Sequence, residues 1–362
     1  MSKKLFSPFA LGNIELKNRV VMAPLTRTRA LGNIPNELMA EYYGQRAEAG
    51  LIITEGTSPS PNGLGYPNIP GVFSEAQVAG WRKVTDTVHE KGGRIFVQIM
   101  HTGRVSHPDN LPEGGRVLGP SAVPSGVEMY TLKGKKEVLP TPEAMSAADI
   151  EEAIEEYVQA AKNAIAAGFD GVELHGANGY LIEQFIHPHT NQREDEFGGS
   201  LEKRAQFALS VARRVVDAIG ADKVGIRLSP FGQNNNLPAY DTVEPTYLYL
   251  AEKLSEIGIL YIHTVDHSSM GAPVVPLAFK QRLRAAFQGK IILSGGYDAE
   301  RAEADLQADL GDVVAFGRPF IGNPDLVERL KSNAPFNELD PSTFYGLDAK
   351  GYTDYPFLEK AK

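Results

Sequence analysis

The chain of 362 residues contains no cysteine, a single tryptophan and no apolar run of membrane-spanning length. Without cysteine, it can supply no disulfide, no thiolate nucleophile, no Cys-ligated zinc site and no iron–sulfur ligand. A cytoplasmic location fits this composition. Residues 1–8 hold two lysines but no apolar core, so we expect no secretory signal there.

Positive charge is also scarce, with 36 Lys and Arg against 45 Asp and Glu and a net charge of -9. This balance disfavours nucleic acid or an anionic membrane as a partner. We expect small-molecule ligands instead, bound by a monomer or a small homo-oligomer. The 42% hydrophobic content is enough for a large core. Length alone suggests two domains, although a single α/β barrel can be this long.

The sequence also lacks a dinucleotide-binding fingerprint and a metal motif. Gly63-Leu64-Gly65 is followed by the wrong residues and precedes no clear helix, so a nicotinamide cofactor would not be held on a Rossmann-type fold. His187 and His189 have no further ligands at useful spacing, and no metal site is expected. His107, His263 and His267 have no evident partner in the sequence.

Short apolar runs alternate with amphipathic helical stretches along the chain. The runs are residues 20–24, 51–55, 94–100, 171–175, 224–228, 260–265, 291–294 and 313–316. Runs this short and this continuous in apolar character are typical of strands buried on both faces. Eight strand–helix units predict a (β/α)8 TIM barrel that forms one domain over residues 1–362, with an N-terminal extension. In this fold the site lies at the carboxyl ends of the strands.

Two connections are longer than a barrel requires. Residues 102–146, after the third strand, are rich in Pro and Gly, and residues 130–136 within them could form a hairpin. Residues 230–241 contain three consecutive asparagines. Long loops in a compact barrel usually serve as lids or binding loops.

The most informative segment is residues 172–180, a short strand followed by a polar loop. His175 and Asn178 can donate hydrogen bonds to one oxygen, and Tyr180 can deliver a proton nearby. Two donors and an acid are suited to stabilising and protonating an enolate-like anion. The alternative interpretation is a loop whose polar side chains satisfy its own backbone.

Together with residues 24–27, 191–200 and 316–318 and with Gln98, this segment gives the chain a resemblance to the old yellow enzyme family. These are FMN-dependent ene-reductases built on a TIM barrel. Thr26 stands where the other main branch has cysteine, so the chain resembles the classical branch, which includes bacterial N-ethylmaleimide and pentaerythritol tetranitrate reductases. The resemblance implies non-covalent FMN and NAD(P)H as a transient reductant.

The resemblance also implies which residues contact the flavin. Thr26 would lie near O4, Gln98 at the pyrimidine edge and Arg227 at the N1/C2 region, where charge tunes the ring. Arg227 paired to a barrel carboxylate is the alternative. Glycines at two strand ends and Arg318 would bind the phosphate. The full set is Ala23, Pro24, Leu25, Thr26, Gly56, Gln98, Arg227, Gly295, Gly296, Gly317 and Arg318.

For the substrate, the resemblance implies an electron-poor alkene whose activating oxygen binds His175 and Asn178. Hydride would pass from FMN N5 to the β-carbon, and Tyr180 would protonate the α-carbon. The implied pocket walls are Tyr66, Met100, Asn235 and Tyr345. Met100 replaces a frequent Trp, and Asn234 replaces a frequent aromatic residue, so the substrate scope should differ from that of other members.

Three other functions stay open from the sequence. A flavin-dependent nitro-ester or nitroaromatic reductase would share the cofactor. A flavin-free TIM-barrel lyase or isomerase would use His175 and Tyr180 as acid and base. A flavin-storage protein would bind the cofactor without turnover.

Overall fold

Eight parallel strands close into a barrel in the computed structural model, which describes residues 3–359. In chain order the strands are β1 (Phe9–Leu11), β2 (Ile14–Leu16), β3 (Val20–Met22), β4 (Leu51–Thr57), β5 (Ile95–Ile99), β6 (Leu118–Gly119), β7 (Glu128–Tyr130), β8 (Lys136–Val138), β9 (Glu143–Ala144), β10 (Gly171–Gly176), β11 (Val224–Leu228), β12 (Tyr261–Val265), β13 (Lys290–Ser294) and β14 (Val313–Phe316). The barrel consists of β3, β4, β5, β10, β11, β12, β13 and β14, hydrogen-bonded in that circular order.

The barrel strands are buried along almost their whole length, which explains their continuous apolar character. One face fills the barrel interior and the other packs against helices. Interior space is tight at Gly225, which lies opposite Tyr261 in the register. A Cβ atom on Gly225 would come within 2.2 Å of the Tyr261 ring, so only glycine fits there.

The helices that cover the barrel follow the predicted periodicity. They are α1 (Glu37–Gln45), α2 (Glu75–Glu90), α3 (Ala147–Ala166), α4 (Leu181–Ile186), α5 (Leu201–Ile219), α6 (Val243–Ile257), α7 (Leu277–Ala286), α8 (Ala299–Gln307), α9 (Arg318–Gly322) and α10 (Leu326–Ser332). Ser74 and Gln77 form a capping box at the start of α2. Within residues 3–359, no helix is long and apolar enough to cross a membrane.

The N-terminal extension closes the amino end of the barrel. Strands β1 and β2 form an antiparallel hairpin. Leu11 and Leu16 of this hairpin are fully buried against barrel-interior residues that include Ile53 and Phe96. This end of the barrel is therefore filled with apolar side chains.

The segment after the third barrel strand forms a separate excursion. Strands β7 and β8 pair antiparallel, with Tyr130 opposite Lys136, which confirms the predicted hairpin. Strands β6 and β9 add a short parallel pair. Thus the barrel, its N-terminal extension and its long excursion are all confirmed, and each predicted strand is within two residues of the observed bounds. The predicted domain limits at residues 1 and 362, and the start of the N-terminal segment, lie outside the described residues.

Candidate active site

A cavity of about 720 Å³ opens at the carboxyl ends of the barrel strands. Its volume is in the range of cavities that bind cofactors and drug-sized ligands. Most of the predicted site residues line it: Ala23, Pro24, Leu25, Thr26, Asn178, Tyr180, Arg227, Asn235, Gly295, Gly296, Gly317, Arg318 and Tyr345. Residues from seven separate segments of the chain therefore meet around one space.

Five predicted residues do not line this cavity: Gly56, Tyr66, Gln98, Met100 and His175. Met100 is only 1% exposed and packs in an apolar cluster with Leu64 and Ile69. A Cβ atom on Gly56 would lie 2.5 Å from the Met100 sulfur, so Met100 occupies the space left by this glycine. Met100 thus fills a gap in the apolar layer beside Tyr180, and the described cavity is not widened at its position.

His175 is buried at the end of β10, and its ring is set edge-to-face against Tyr180, with centroids 4.8 Å apart. The backbone N–H of Ala177 donates to His175 Nδ1 at 3.3 Å. Burial, together with the charge of Arg227, lowers the pKa of His175 well below its ordinary value. The ring is therefore neutral with its proton on Nε2, which leaves Nε2–H as a hydrogen-bond donor.

Asn178 is held from three directions in a left-handed backbone conformation, with φ of 60°. Its N–H donates to Ser229 Oγ at 3.0 Å, and its carbonyl accepts from Asn235 Nδ2 at 2.7 Å. Its side-chain Oδ1 accepts from Asn234 Nδ2 at 3.2 Å. Since the oxygen of this amide is already engaged, its NH2 group remains as a donor on the cavity wall.

Tyr180 is half-buried at the N-terminus of α4 and lines the cavity. Its hydroxyl lies 3.0 Å from the hydroxyl of Tyr66. Burial, reinforced by Tyr66, raises the pKa of Tyr180 well above its ordinary value. The phenol therefore keeps its proton at neutral pH and can act as an acid.

Glu183 anchors the loop that carries these three side chains. The buried carboxyl accepts from Gly179 N–H at 2.6 Å, from Ser229 Oγ at 2.7 Å and from the Tyr247 hydroxyl at 2.7 Å. Because Ser229 also accepts from Asn178 N–H at 3.0 Å, the carboxyl fixes the backbone at residues 178 and 179. Burial raises the pKa of Glu183 from its ordinary 4.5 to about 7, against the effect of these hydrogen bonds.

This raised pKa predicts how Glu183→Gln changes the pH dependence of stability. Between pH 4.5 and 7 the folded protein binds the Glu183 proton more tightly than the unfolded chain does. The contribution of Glu183 to the free energy of unfolding is therefore full below pH 4.5 and declines as the pH rises through 7. We expect the wild type to lose stability relative to the variant across this window.

The measurement is thermal unfolding of the wild type and of Glu183→Gln at several pH values on either side of this window. Glu252→Gln, at an exposed position on α6, is the matched control and should track the wild type. A constant difference between wild type and Glu183→Gln at every pH would contradict the assignment.

Arg227 is the clearest sign that the cavity binds an electron-rich ligand. It is 8% exposed and lines the cavity, and its Nε atom is buried with no hydrogen-bond partner within residues 3–359. The described chain shows no ion pair between Arg227 and a carboxylate, and the nearby Glu173, whose charge acts on Arg227, is hydrogen-bonded to His263 and Gln98 instead. Burial lowers the pKa of Arg227, but a guanidinium stays charged at neutral pH.

Another part of the cavity wall is built from the ends of β13 and β14. Gly295 has φ of 120° and Gly296 has φ of 63°, conformations that a side chain would strain. Gly317 and Arg318 follow β14 and begin α9. Glycine backbone and a guanidinium after the seventh and eighth strands are the usual phosphate-binding arrangement of this fold. The cavity therefore fits FMN, because its wall contains both Arg227 and a phosphate-binding arrangement at Gly295, Gly296, Gly317 and Arg318.

A buried polar network below His175 was missed by the sequence analysis. Glu173 accepts from Gln98 Nε2 at 2.8 Å, from the Tyr261 hydroxyl at 3.1 Å and from His263 Nδ1 at 2.8 Å. Although burial opposes it, the interaction with His263, the charge of Arg227 and the hydrogen bond from Gln98 lower the pKa of Glu173, so the carboxyl is ionised at neutral pH. The sequence did contain one signal for this network, because residues two apart in a strand, such as Glu173 and His175, lie on the same face.

The expectation that three histidines lack partners is also wrong. His263 contacts Glu173, as described above. His267 Nε2 lies 2.9 Å from Asn234 Nδ2, and His107 Nδ1 accepts from Asp109 N–H at 3.1 Å. The described chain contains no cluster of metal-ligating side chains. His187 instead contacts the Pro238 carbonyl at 2.9 Å.

Comparison with known proteins agrees with this geometry. The NADH:flavin oxidoreductase / NADH oxidase family matches residues 4–337. 12-Oxophytodienoate reductase 7 of Oryza sativa subsp. japonica is 42% identical, over 99% of this chain and 95% of the relative. Chanoclavine-I aldehyde reductase fgaOx3 of Penicillium roqueforti (strain FM164) is 44% identical, over 98% and 96%.

Solved structures of morphinone reductase have the same fold. One has a TM-score of 0.95 at 46% identity and covers 99% of this chain and 97% of that chain. Another, in complex with tetrahydroNAD, has a TM-score of 0.93 at 46% identity and covers 98% of both.

The chain therefore belongs to the NADH:flavin oxidoreductase / NADH oxidase family, the family of the old yellow enzymes. It is an FMN-dependent, NAD(P)H-consuming oxidoreductase of the ene-reductase type. The predictions of FMN and of enzymatic activity are confirmed. The interpretations as a flavin-free lyase or isomerase and as a storage protein are wrong.

Proposed function

We propose that this site reduces the C=C bond of α,β-unsaturated carbonyl compounds by means of His175, Asn178 and Tyr180. The observation that carries the proposal is the juxtaposition of a neutral imidazole, an amide whose oxygen is already engaged, and a protonated phenol. These groups supply two hydrogen-bond donors and one acid beside the same cavity. An activated alkene requires this combination, because negative charge grows on its oxygen as hydride arrives at carbon.

Each side chain has one task in the proposed reaction. His175 Nε2–H and Asn178 Nδ2–H bind the activating oxygen and stabilise the charge that develops there. Bound FMN supplies the hydride that it has received from NAD(P)H. Tyr180 gives its proton to the α-carbon, and its neighbour Tyr66 holds the phenol in position through a 3.0 Å contact.

The cofactor would be held by the residues that line the cavity. Thr26 offers a hydroxyl donor, Arg227 a fixed positive charge, and the strand ends at Gly295 and Gly317 a phosphate site with Arg318. Gln98 donates to Glu173 through Nε2, which leaves its Oε1 as an acceptor toward the ring. We propose that Ala23, Pro24, Leu25, Gly56 and Gly296 complete the cofactor set.

Replacing Arg227 by Met is expected to weaken FMN binding by about 10- to 100-fold, because a charge-assisted interaction with the ring is lost. Fluorescence titration of FMN into apoprotein measures this change. Arg282→Met is the control, since Arg282 is exposed on α7 and pairs with Glu244 away from the cavity. Unchanged affinity in Arg227→Met would remove Arg227 from the flavin site.

The substrate walls are proposed to be Tyr66, Asn235 and Tyr345, with Met100 acting from the layer behind Tyr180. Tyr345 is 67% exposed at the cavity mouth. We further propose that the protein acts in the cytoplasm on small molecules alone, as a monomer or a small homo-oligomer. Residues 1–362 are proposed to form one FMN-binding domain.

Parallel turnover assays test the substrate class. Holoenzyme is supplied with NADPH and with 2-cyclohexenone, a nitrate ester or a nitroaromatic compound at equal concentrations. The proposal expects the enone to be the fastest oxidant of the three. Faster turnover of the nitro compounds, with little turnover of the enone, would favour the nitro-ester reductase instead.

A further inference from the structure

Asn234 lies directly behind Asn178 and contacts two side chains that are distant in the sequence. Its Nδ2 atom is 3.2 Å from Asn178 Oδ1 and 2.9 Å from His267 Nε2. An amide NH2 has two hydrogens, so one group can serve both acceptors at once. The contacts join the loop after β11 to the loops after β10 and β12, where all three residues line the cavity.

His267 is placed to hold the Asn234 amide, whose NH2 group faces its Nε2 atom. The imidazole is 7% exposed, and burial and the nearby charge of Arg227 lower the pKa of His267 to about 4. The ring is thus neutral at physiological pH, and the tautomer that fits the Asn234 NH2 group has its hydrogen on Nδ1 and uses Nε2 as the acceptor. An acceptor at this position is satisfied by the NH2 group of Asn234 and would repel its oxygen.

The same argument passes from Asn234 to Asn178. Since the NH2 group of Asn234 also faces Asn178, the Asn178 side chain must present its oxygen there. Its own NH2 group is then directed away, toward the ligand. A rotation of the Asn178 amide by half a turn would place Oδ1 against the ligand oxygen, and two acceptors would face each other.

We propose that Asn234, oriented by His267, is a positioning residue that keeps Asn178 in its donor orientation. This inference rests on the proposed role of Asn178 in binding the substrate oxygen. It assigns a task to a position where the family often has an aromatic residue. An aromatic side chain would offer Asn178 no amide donor. In this chain the substrate donor Asn178 is instead oriented by the pair of contacts from His267 to Asn234 and from Asn234 to Asn178, which we call the amide relay.

The relay should distinguish two kinds of ligand. An enone oxygen or a phenolate only accepts hydrogen bonds, so it requires Asn178 as a donor. The carboxamide of nicotinamide carries a donor NH2 group and an acceptor oxygen on one carbon and can turn to match either orientation of Asn178. Disturbing Asn234 should therefore affect enones and phenols more than NAD(P)H.

Asn234→Asp is the sharpest test, because aspartate has nearly the same shape but only accepts. Asn178 should turn its NH2 group toward the carboxylate and its oxygen toward the ligand. In the holoenzyme we expect the Kd of para-chlorophenol, read from its charge-transfer band, to rise about 10- to 100-fold. The kcat/KM for 2-cyclohexenone should fall similarly, while flavin reduction by NADPH changes by less than about 3-fold.

Two further variants isolate the effect. Asn234→Leu removes the anchor without adding charge, so its phenol affinity should lie between that of the wild type and that of Asn234→Asp. Asn236→Asp adds the same charge at an exposed position of the same loop, where the wild-type amide donates to the Ser125 carbonyl. This control should bind phenols as the wild type does.

Equal losses for phenol and NADPH in Asn234→Asp would overturn the proposal, as would equal phenol affinities in Asn234→Leu and Asn234→Asp. Wild-type phenol affinity in Asn234→Asp would also overturn it. Failure of the proposed function is seen separately, because wild-type holoenzyme would then give no phenol band and no enone turnover.

Discussion

Replacing Tyr180 by Phe is expected to slow the oxidation of reduced enzyme by 2-cyclohexenone by about 10²- to 10⁴-fold. In the proposed mechanism Tyr180 is the acid beside the two donors, and burial raises its pKa, so the phenol remains protonated at neutral pH. Flavin reduction by NADPH involves no proton from Tyr180, so its rate should be almost unchanged. Anaerobic stopped-flow absorbance follows each half-reaction separately.

Tyr66→Phe is the matched control for this experiment, since it removes a hydroxyl only 3.0 Å away. This variant should slow the enone step far less, because Tyr66 contacts the acid and is not itself the proton donor. Equal slowing of both half-reactions in Tyr180→Phe would contradict the assigned role. So would a Tyr66→Phe variant that is slower with the enone than Tyr180→Phe.

Replacing both His175 and Asn178 by Ala is expected to abolish the charge-transfer band that phenols give with bound flavin. The same variant should lose at least about 10²- to 10³-fold in kcat/KM for the enone, which is the usual effect of removing even one donor to a developing anion. Both effects have one cause, the loss of the two N–H groups that face the ligand oxygen.

The single variants divide this effect between the two donors. His175→Ala and Asn178→Ala should each retain a weaker phenol band, because one donor remains in each. Absorbance titration with para-chlorophenol measures all three variants, with bound flavin as an internal measure of folding. A phenol band of full strength in the double variant would remove both residues from the substrate site.

The barrel could be predicted from the sequence because its strands are buried on both faces. Such strands appear as short continuous apolar runs, and the observed bounds of β11 and β14 equal the predicted ranges. The loop that is proposed to be catalytic could be found in the same way, since His175, Asn178 and Tyr180 lie within six consecutive residues. Its position in the fold followed from the rule that barrel sites lie at the carboxyl ends of strands.

The supporting contacts could not be predicted in the same way. Glu173 and His263 are 90 residues apart, and Tyr66 and Tyr180 are 114 apart. No local periodicity reports such pairs, because they depend on the register between strands and on the course of the loops. The predicted role of Met100 as a cavity wall also depended on how deeply its side chain is buried, and the sequence does not give that information.

Asn234 illustrates the same limit at the level of hydrogen bonds. Three consecutive asparagines in a loop indicate turns, and Asn235 and Asn236 do have left-handed backbones. Only the packed structure places the Asn234 amide between Asn178 and His267. The proposed orientation of the Asn178 amide, with its NH2 group toward the ligand, thus depends on contacts among three loops.

The most direct test of the account is the absorption spectrum of the anaerobic holoenzyme before and after NADPH, and then after 2-cyclohexenone. The account predicts a yellow protein that bleaches with NADPH and regains its colour with the enone. A bleached protein that ignores the enone would contradict the roles of His175, Asn178 and Tyr180. A colourless protein that takes up no FMN would contradict the cofactor site at Thr26, Arg227 and Arg318.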